Sequence, residues 1–123
     1  MPLTNEIINE IFPAARVDPT GTFTRDANRF VVSADVTLVQ ITTGPDNKPL
    51  AGAPKTAKLN DISETGAGLE FSEIIKVNET FIIRLPLKNG SALWVRCEGV
   101  RWSHIDGKSY SIGAKILGTF TKP

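Results

Sequence analysis

The feature that most constrains this chain is a strict two-residue alternation of apolar and polar side chains. It begins at Phe30 and returns in short blocks almost to the C-terminus. Phe30, Val32, Ala34, Val36 and Leu38 share one phase, and Ser33, Asp35 and Thr37 the other. That is the period of a strand with one buried face. Ala67, Leu69 and Phe71 alternate with Gly68, Glu70 and Ser72, and the pattern recurs in Phe81, Ile83 and Leu85 and in Tyr110, Ile112, Ala114 and Ile116. Between them, Leu93, Val95 and Cys97 follow one phase while Val100 and Trp102 follow the other. A bulge near Gly99 would restore a common inward face. Asn89-Gly90 and Asp106-Gly107 are hairpin signals, read as type I′ turns with positive φ at both central residues. About six antiparallel strands, with no long helix to cover a sheet, predict an all-β fold: a closed or split six-stranded barrel.

The chain has 123 residues, which suits a single core. Two regions are expected. Residues 1–28 form an N-terminal helix and a flexible arm, and residues 29–123 the barrel. In TNEIINEIF, Ile7, Ile8 and Ile11 lie at helical spacing behind a Thr4 cap, with room for about two turns before Pro13. So short a helix must dock to persist. Residues Pro13 to Asn28 show no sustained period and read as an extended arm. Strand one is expected to reach Ile41. The Gly- and Pro-rich stretch 42–55 then reads as a long exposed hairpin loop that cannot continue a ladder, and a second strand runs from Ala57 to Ile62.

Charge and cysteine usage exclude several function classes. A formal net charge of +1 does not fit a protein that coats long nucleic acid, where affinity comes from many phosphate contacts. Cys97 is the only cysteine, so there is no internal disulfide or multi-cysteine zinc site, which agrees with a reducing compartment. The N-terminal residues have no basic region followed by a long apolar run. A cytoplasmic protein without membrane insertion is therefore expected.

Two short segments carry the candidate chemistry. In RDANR, Arg25 and Arg29 are four residues apart, so both side chains point the same way in an extended chain and nearly so in a helix. Paired guanidinium groups match guanine O6 and N7, or phosphate oxygens, bidentately. Taken alone, the pair more simply describes two solvated arginines beside a strand start. In DISETG, the even spacing of Asp61 and Ser63 puts their oxygens on one face at a strand end, and Gly66 can take a backbone angle costly for other residues. A carboxylate there can accept the N–H donors of a guanine edge, and a serine hydroxyl can donate to phosphate or accept from the base. The same oxygens would also serve an Asx- or Ser-turn that caps backbone amides.

Together, RDANR before the first strand, DISETG ending the second, GAGLEF, EGVRW and a final YSIGAKIL resemble the PilZ domain family over residues 24 to 118. That family is marked by RxxxR followed by (D/N)xSxxG, and Arg25, Arg29, Asp61, Ser63 and Gly66 match every fixed position. The resemblance implies a six-stranded barrel that binds cyclic di-GMP and has no enzymatic activity or further cofactor. Arg25 and Arg29 would grip guanine and phosphate, and Asp61 and Ser63 would hold a guanine edge. Trp102 looks like the aromatic that follows the family's valine on this strand, where it would stack on a base or simply pack at the rim. The implied function is second-messenger reception in a bacterium, controlling motility, biofilm or exopolysaccharide through a protein partner of unassigned identity. A PilZ-fold interaction scaffold independent of nucleotide is the alternative. Thr24 replaces a charged residue common in the family, and the 42–55 loop is longer than usual. The first departure leaves the ligand stoichiometry open, and the second leaves open whether the loop adds a partner surface.

Other residues carry less. His104 has no second ligand at metal spacing and reads as a hairpin residue. A Ser63–His104–Asp61 triad lacks a nucleophile elbow and places the carboxylate beside the serine instead of behind the histidine. Cys97, inside an alternating strand, reads as a buried small hydrophobe.

Overall fold

The computed structural model describes residues 3–8, 10, 16–17 and 30–120. The chain runs through a short helix α1 (Asn5–Ile8), then strands β1 (Arg16–Val17), β2 (Phe30–Thr43), β3 (Pro49–Ala51), β4 (Lys55–Ile62), β5 (Gly66–Phe71), β6 (Thr80–Pro86), β7 (Ala92–Asp106) and β8 (Ser109–Phe120). Strands β2, β4, β5, β8, β7 and β6 pair in that order, and β6 returns to β2, closing an antiparallel six-stranded barrel. Closure is possible because β2 is long enough to serve two neighbours. Its residues Phe30 to Leu38 face β4, and Thr37 to Ile41 face β6.

The alternation seen in the sequence is the inside–outside alternation of this barrel. Phe30, Val32, Ala34, Val36 and Leu38 are all buried, as are Leu59, Leu69, Phe71, Phe81, Ile83, Leu85, Val95 and Ile112. Each of the Val, Leu, Ile and Phe side chains among them contributes about 1.5–3 kcal/mol on leaving water, so a register slip that turned one strand inside out would forfeit several at once. Leu3 and Ile8 belong to the same core. Thr4 caps the helix, accepting from Ile7 N through Oγ1 at 3.3 Å, and Lys88 N of the β6–β7 hairpin donates to Glu10 O at 2.7 Å. The helix thus docks as its brevity requires, although Ile11 lies outside the described residues.

Three local expectations are corrected. The stretch 42–55 is not wholly a loop. β2 runs on to Thr43, a 3-10 turn at Pro45–Asn47 reverses the chain, and β3 pairs its Pro49, Leu50 and Ala51 with Thr43, Thr42 and Ile41. Pro49 is tolerated because it opens a strand at the sheet margin. The two hairpins form where expected but not with type I′ geometry, because only Gly90 (φ 86°) and Gly107 (φ 45°) are left-handed there. At the first hairpin, Gly90 N bonds Leu87 O and Leu87 N bonds Ser91 O, an ordinary turn closed by a left-handed glycine. At the second, Asp106 pairs with Ser109, so Gly107 and Lys108 are the central residues. The third correction concerns Val100. The β7–β8 register shifts between Gly99 and Arg101, which confirms the bulge and returns Trp102 to the phase of Ile112, but Val100 is the extra residue and is 52% exposed. Gly99 is required there by close approach: a Cβ would lie 2.5 Å from Lys76 O.

Candidate functional site

The outer face of the barrel carries one rung of paired residues unlike its neighbours. Asp61 on β4 pairs with Gly68 on β5, Gly68 with Gly113 on β8, and Gly113 with Arg101 on β7. Both glycines fall in the outward phase, between buried Ala67 and Leu69 and between buried Ile112 and Ala114. An outward strand position without a side chain leaves bare backbone for something to lie against. Here the ends of the rung lean over that backbone. A Cβ on Gly68 would meet Asp61 Oδ2 at 2.7 Å and Oδ1 at 2.9 Å, and one on Gly113 would meet Arg101 Cγ at 2.9 Å and Nε at 3.0 Å. A register shift at Asn60 aims Asp61 this way, and the Val100 bulge does the same for Arg101.

Around this floor lies a groove of about 340 Å³ lined by Asp61, Thr65, Gly66, Arg101, Ser111 and Lys115 among others. Its volume is at the small end of ligand sites. One end carries a carboxylate, the other a guanidinium and, one outward position along β8, an ammonium. Such a cleft offers an acceptor to a donor-rich base edge and donors to an anion.

The β4–β5 turn forms the upper rim. Ser63 is 3% exposed, and its Oγ accepts from Gly66 N at 3.1 Å and Thr65 N at 3.3 Å, while Ser63 N donates to Gly66 O at 2.8 Å. Of the two readings open for this serine, the structure contains the turn-capping one. Gly66 is not left-handed, since the positive-φ glycines are Gly90 and Gly107. The expectation of an unusual backbone angle is therefore corrected. What Gly66 provides is clearance, because a Cβ would sit 3.1 Å from Ala114 O.

Asp61 and Gly66 thus meet in the groove, with Ser63 bracing the turn beneath. Trp102 does not line it. Trp102 pairs with buried Ile112 and so lies on the core-side phase at the barrel end, 43% exposed, with its ring edge-on to Tyr110 at 6.1 Å. Arg25 and Arg29 lie outside the described residues. Sequence reading overlooked Arg101, Gly68, Gly113 and Lys115. The available signal was a pair of glycines in the outward phase of GAGLEF and SIGAKI, where alternation calls for a polar side chain.

The remaining titratable candidates are accounted for locally. His104 Nε2 lies 3.0 Å from Gly107 O and its ring 5.3 Å from Tyr110, a hairpin role. Burial pushes the Cys97 thiol up to about 12, leaving it un-ionised at neutral pH. Among the described residues there is no cluster of metal-ligating side chains and no helix long and apolar enough to cross a membrane.

The PilZ domain family model matches residues 24–119, a span that holds the barrel, the groove and both motif segments. The chain belongs to the PilZ domain family. Comparison with individual curated proteins gives no match. PilZ domains are a family of cyclic di-GMP-binding and effector domains, not enzymes. In this PilZ domain the (D/N)xSxxG motif spans the groove and its rim: Asp61 and Gly66 line the groove, and Ser63 is hydrogen-bonded within the turn between them.

Proposed function

We propose that this PilZ domain is a cyclic di-GMP receptor whose ligand lies on the Gly68–Gly113 floor. Asp61 accepts from a guanine edge, and Arg25 and Arg29 grip guanine and phosphate from the arm. The observation that carries this reading is the rung Asp61–Gly68–Gly113–Arg101, two outward glycines with a carboxylate laid over one and an arginine side chain over the other. Guanine presents two N–H donors to a carboxylate, and a phosphodiester beside it presents an anion to the cationic end.

Output follows from how the arginine segment is attached. On one side, Leu3 and Ile8 sit in the barrel core and Glu10 bonds the β6–β7 hairpin, and on the other Phe30 is buried. Between them Arg16–Val17 also pairs with Val31 and Phe30, so the arginine segment is anchored on both sides, and drawing it onto the groove costs less chain entropy than ordering a free tail. Ligand binding then changes the surface a cytoplasmic protein partner meets. The domain performs no catalysis and needs no other cofactor. A scaffold independent of nucleotide is expected where the motif residues are missing, and all five are present here.

Titration calorimetry of the purified chain with cyclic di-GMP tests the reading. Binding tighter than about 10 μM, worth roughly 7 kcal/mol, is expected. No heat and no thermal shift would refute it, and a partner captured equally with and without nucleotide would favour the scaffold.

A further inference from the structure

Arg101 belongs to neither motif, yet its side chain is placed as one of the two that bound the floor. An exposed arginine on the outside of a sheet ordinarily extends into water to keep its charge hydrated. Arg101 instead runs along the sheet. Its Cγ, Cδ and Nε lie 2.9, 3.5 and 3.0 Å from the point where a Gly113 Cβ would stand. The glycine on the neighbouring strand therefore makes room for this side chain, as Gly68 does for Asp61. The next residue, Trp102, points to the other face, so the planar group on the groove side of β7 is the guanidinium and not the indole.

We infer that Arg101 is a specificity-determining residue of the groove, whose guanidinium, held across Gly113, takes the face of a guanine base in the stacking role that the neighbouring tryptophan would otherwise fill. This rests on the nucleotide-binding reading above and adds which barrel side chain meets the base face. Guanidinium is planar and weakly hydrated, so it stacks on an aromatic surface while Asp61, at the far end of the rung, meets the base edge. An ammonium at the same place would keep the charge but lose the plane.

The test is calorimetry with cyclic di-GMP on the intact chain and four variants, each checked by thermal melt. Arg101→Ala is expected to weaken binding at least 10-fold and Arg101→Lys to recover less than half of that loss on a logarithmic scale. Trp102→Phe should stay within 3-fold of the parent. Gly113→Ala, which forces Arg101 off the sheet, should weaken binding, and in an Arg101→Ala background it should add no further loss, because neighbours acting through one interaction are non-additive. Parent-like affinity in Arg101→Ala, full rescue by Lys, or additive losses at 101 and 113 would overturn the inference. If the parent itself fails to bind, the receptor reading falls instead, so the two failures are distinguishable.

Discussion

Replacing Gly68 by alanine should separate binding from stability in opposite directions. The added Cβ would lie 2.7 and 2.9 Å from the two Asp61 carboxylate oxygens and 3.0 Å from Asp61 Cγ. All three atoms are at the end of a rotatable side chain, so the carboxylate swings off the floor and the backbone stays. If Asp61 accepts from a guanine edge, the loss is that of a hydrogen bond to a charged group, about 1.5–3 kcal/mol. That corresponds to roughly 10- to 150-fold in dissociation constant. The fold should not suffer, since alanine in a strand interior is favoured over glycine by about 0.5–1 kcal/mol. Calorimetry with cyclic di-GMP beside a thermal melt reads both quantities. Weaker binding with an unchanged or slightly raised melting temperature is expected. Unchanged affinity would show that the position of the Asp61 carboxylate over Gly68 is irrelevant to the ligand. A large drop in melting temperature would show that the strands, not the carboxylate, absorb the new methyl group.

Arg25→Ala and Arg29→Ala should each weaken cyclic di-GMP binding by roughly 2 kcal/mol or more, because a charge-assisted contact to an anion is lost. The salt dependence of binding should fall with them, and unchanged affinity in both variants would assign the grip to other residues. Cys97 supplies a pH prediction. Burial raises its folded-state value to about 12 from 9.0, so the thiol ionises in the unfolded chain first. Its contribution to stability is complete below pH 9 and is lost as pH rises toward 12. Denaturant melts should show this alkaline loss in the parent and a smaller one in Cys97→Ala, and equal slopes in the two would contradict it.

The alternation from Phe30 to Leu38 announced the barrel because burial on one face of a strand imposes a period of two on the sequence. The phase change between Cys97 and Val100 announced the bulge in the same way, one residue from where it falls. What escaped notice depended on geometry between strands. Leu50 gives no sign in a proline-rich stretch that it will pair with Thr42, because ladder formation there depends on the 3-10 turn folding the chain back. Left-handed backbone at Gly90 and Gly107 was legible, but the neighbouring Asn89 and Asp106 suggested a turn type that hydrogen bonding does not produce.

The candidate site was half legible for a similar reason. Asp61, Ser63 and Gly66 are adjacent in sequence, and their motif spacing marks a turn whatever the rest of the chain does. Arg101 is distant in sequence from Asp61, and only the register β4–β5–β8–β7 sets the two on one rung. Whether Arg101 or Trp102 faces the groove depends on a single extra residue at Val100. Ser63 shows the reverse case: its hydroxyl suits a ligand, yet two backbone amides already occupy it.

The most direct measurement of the central claim is the affinity of the intact chain for cyclic di-GMP, with GTP as the control for a guanine base and phosphates without the cyclic linkage. Saturable binding of the cyclic dinucleotide tighter than about 10 μM, with GTP at least 100-fold weaker, is the predicted result. Absence of binding, or equal binding of GTP, would contradict the account.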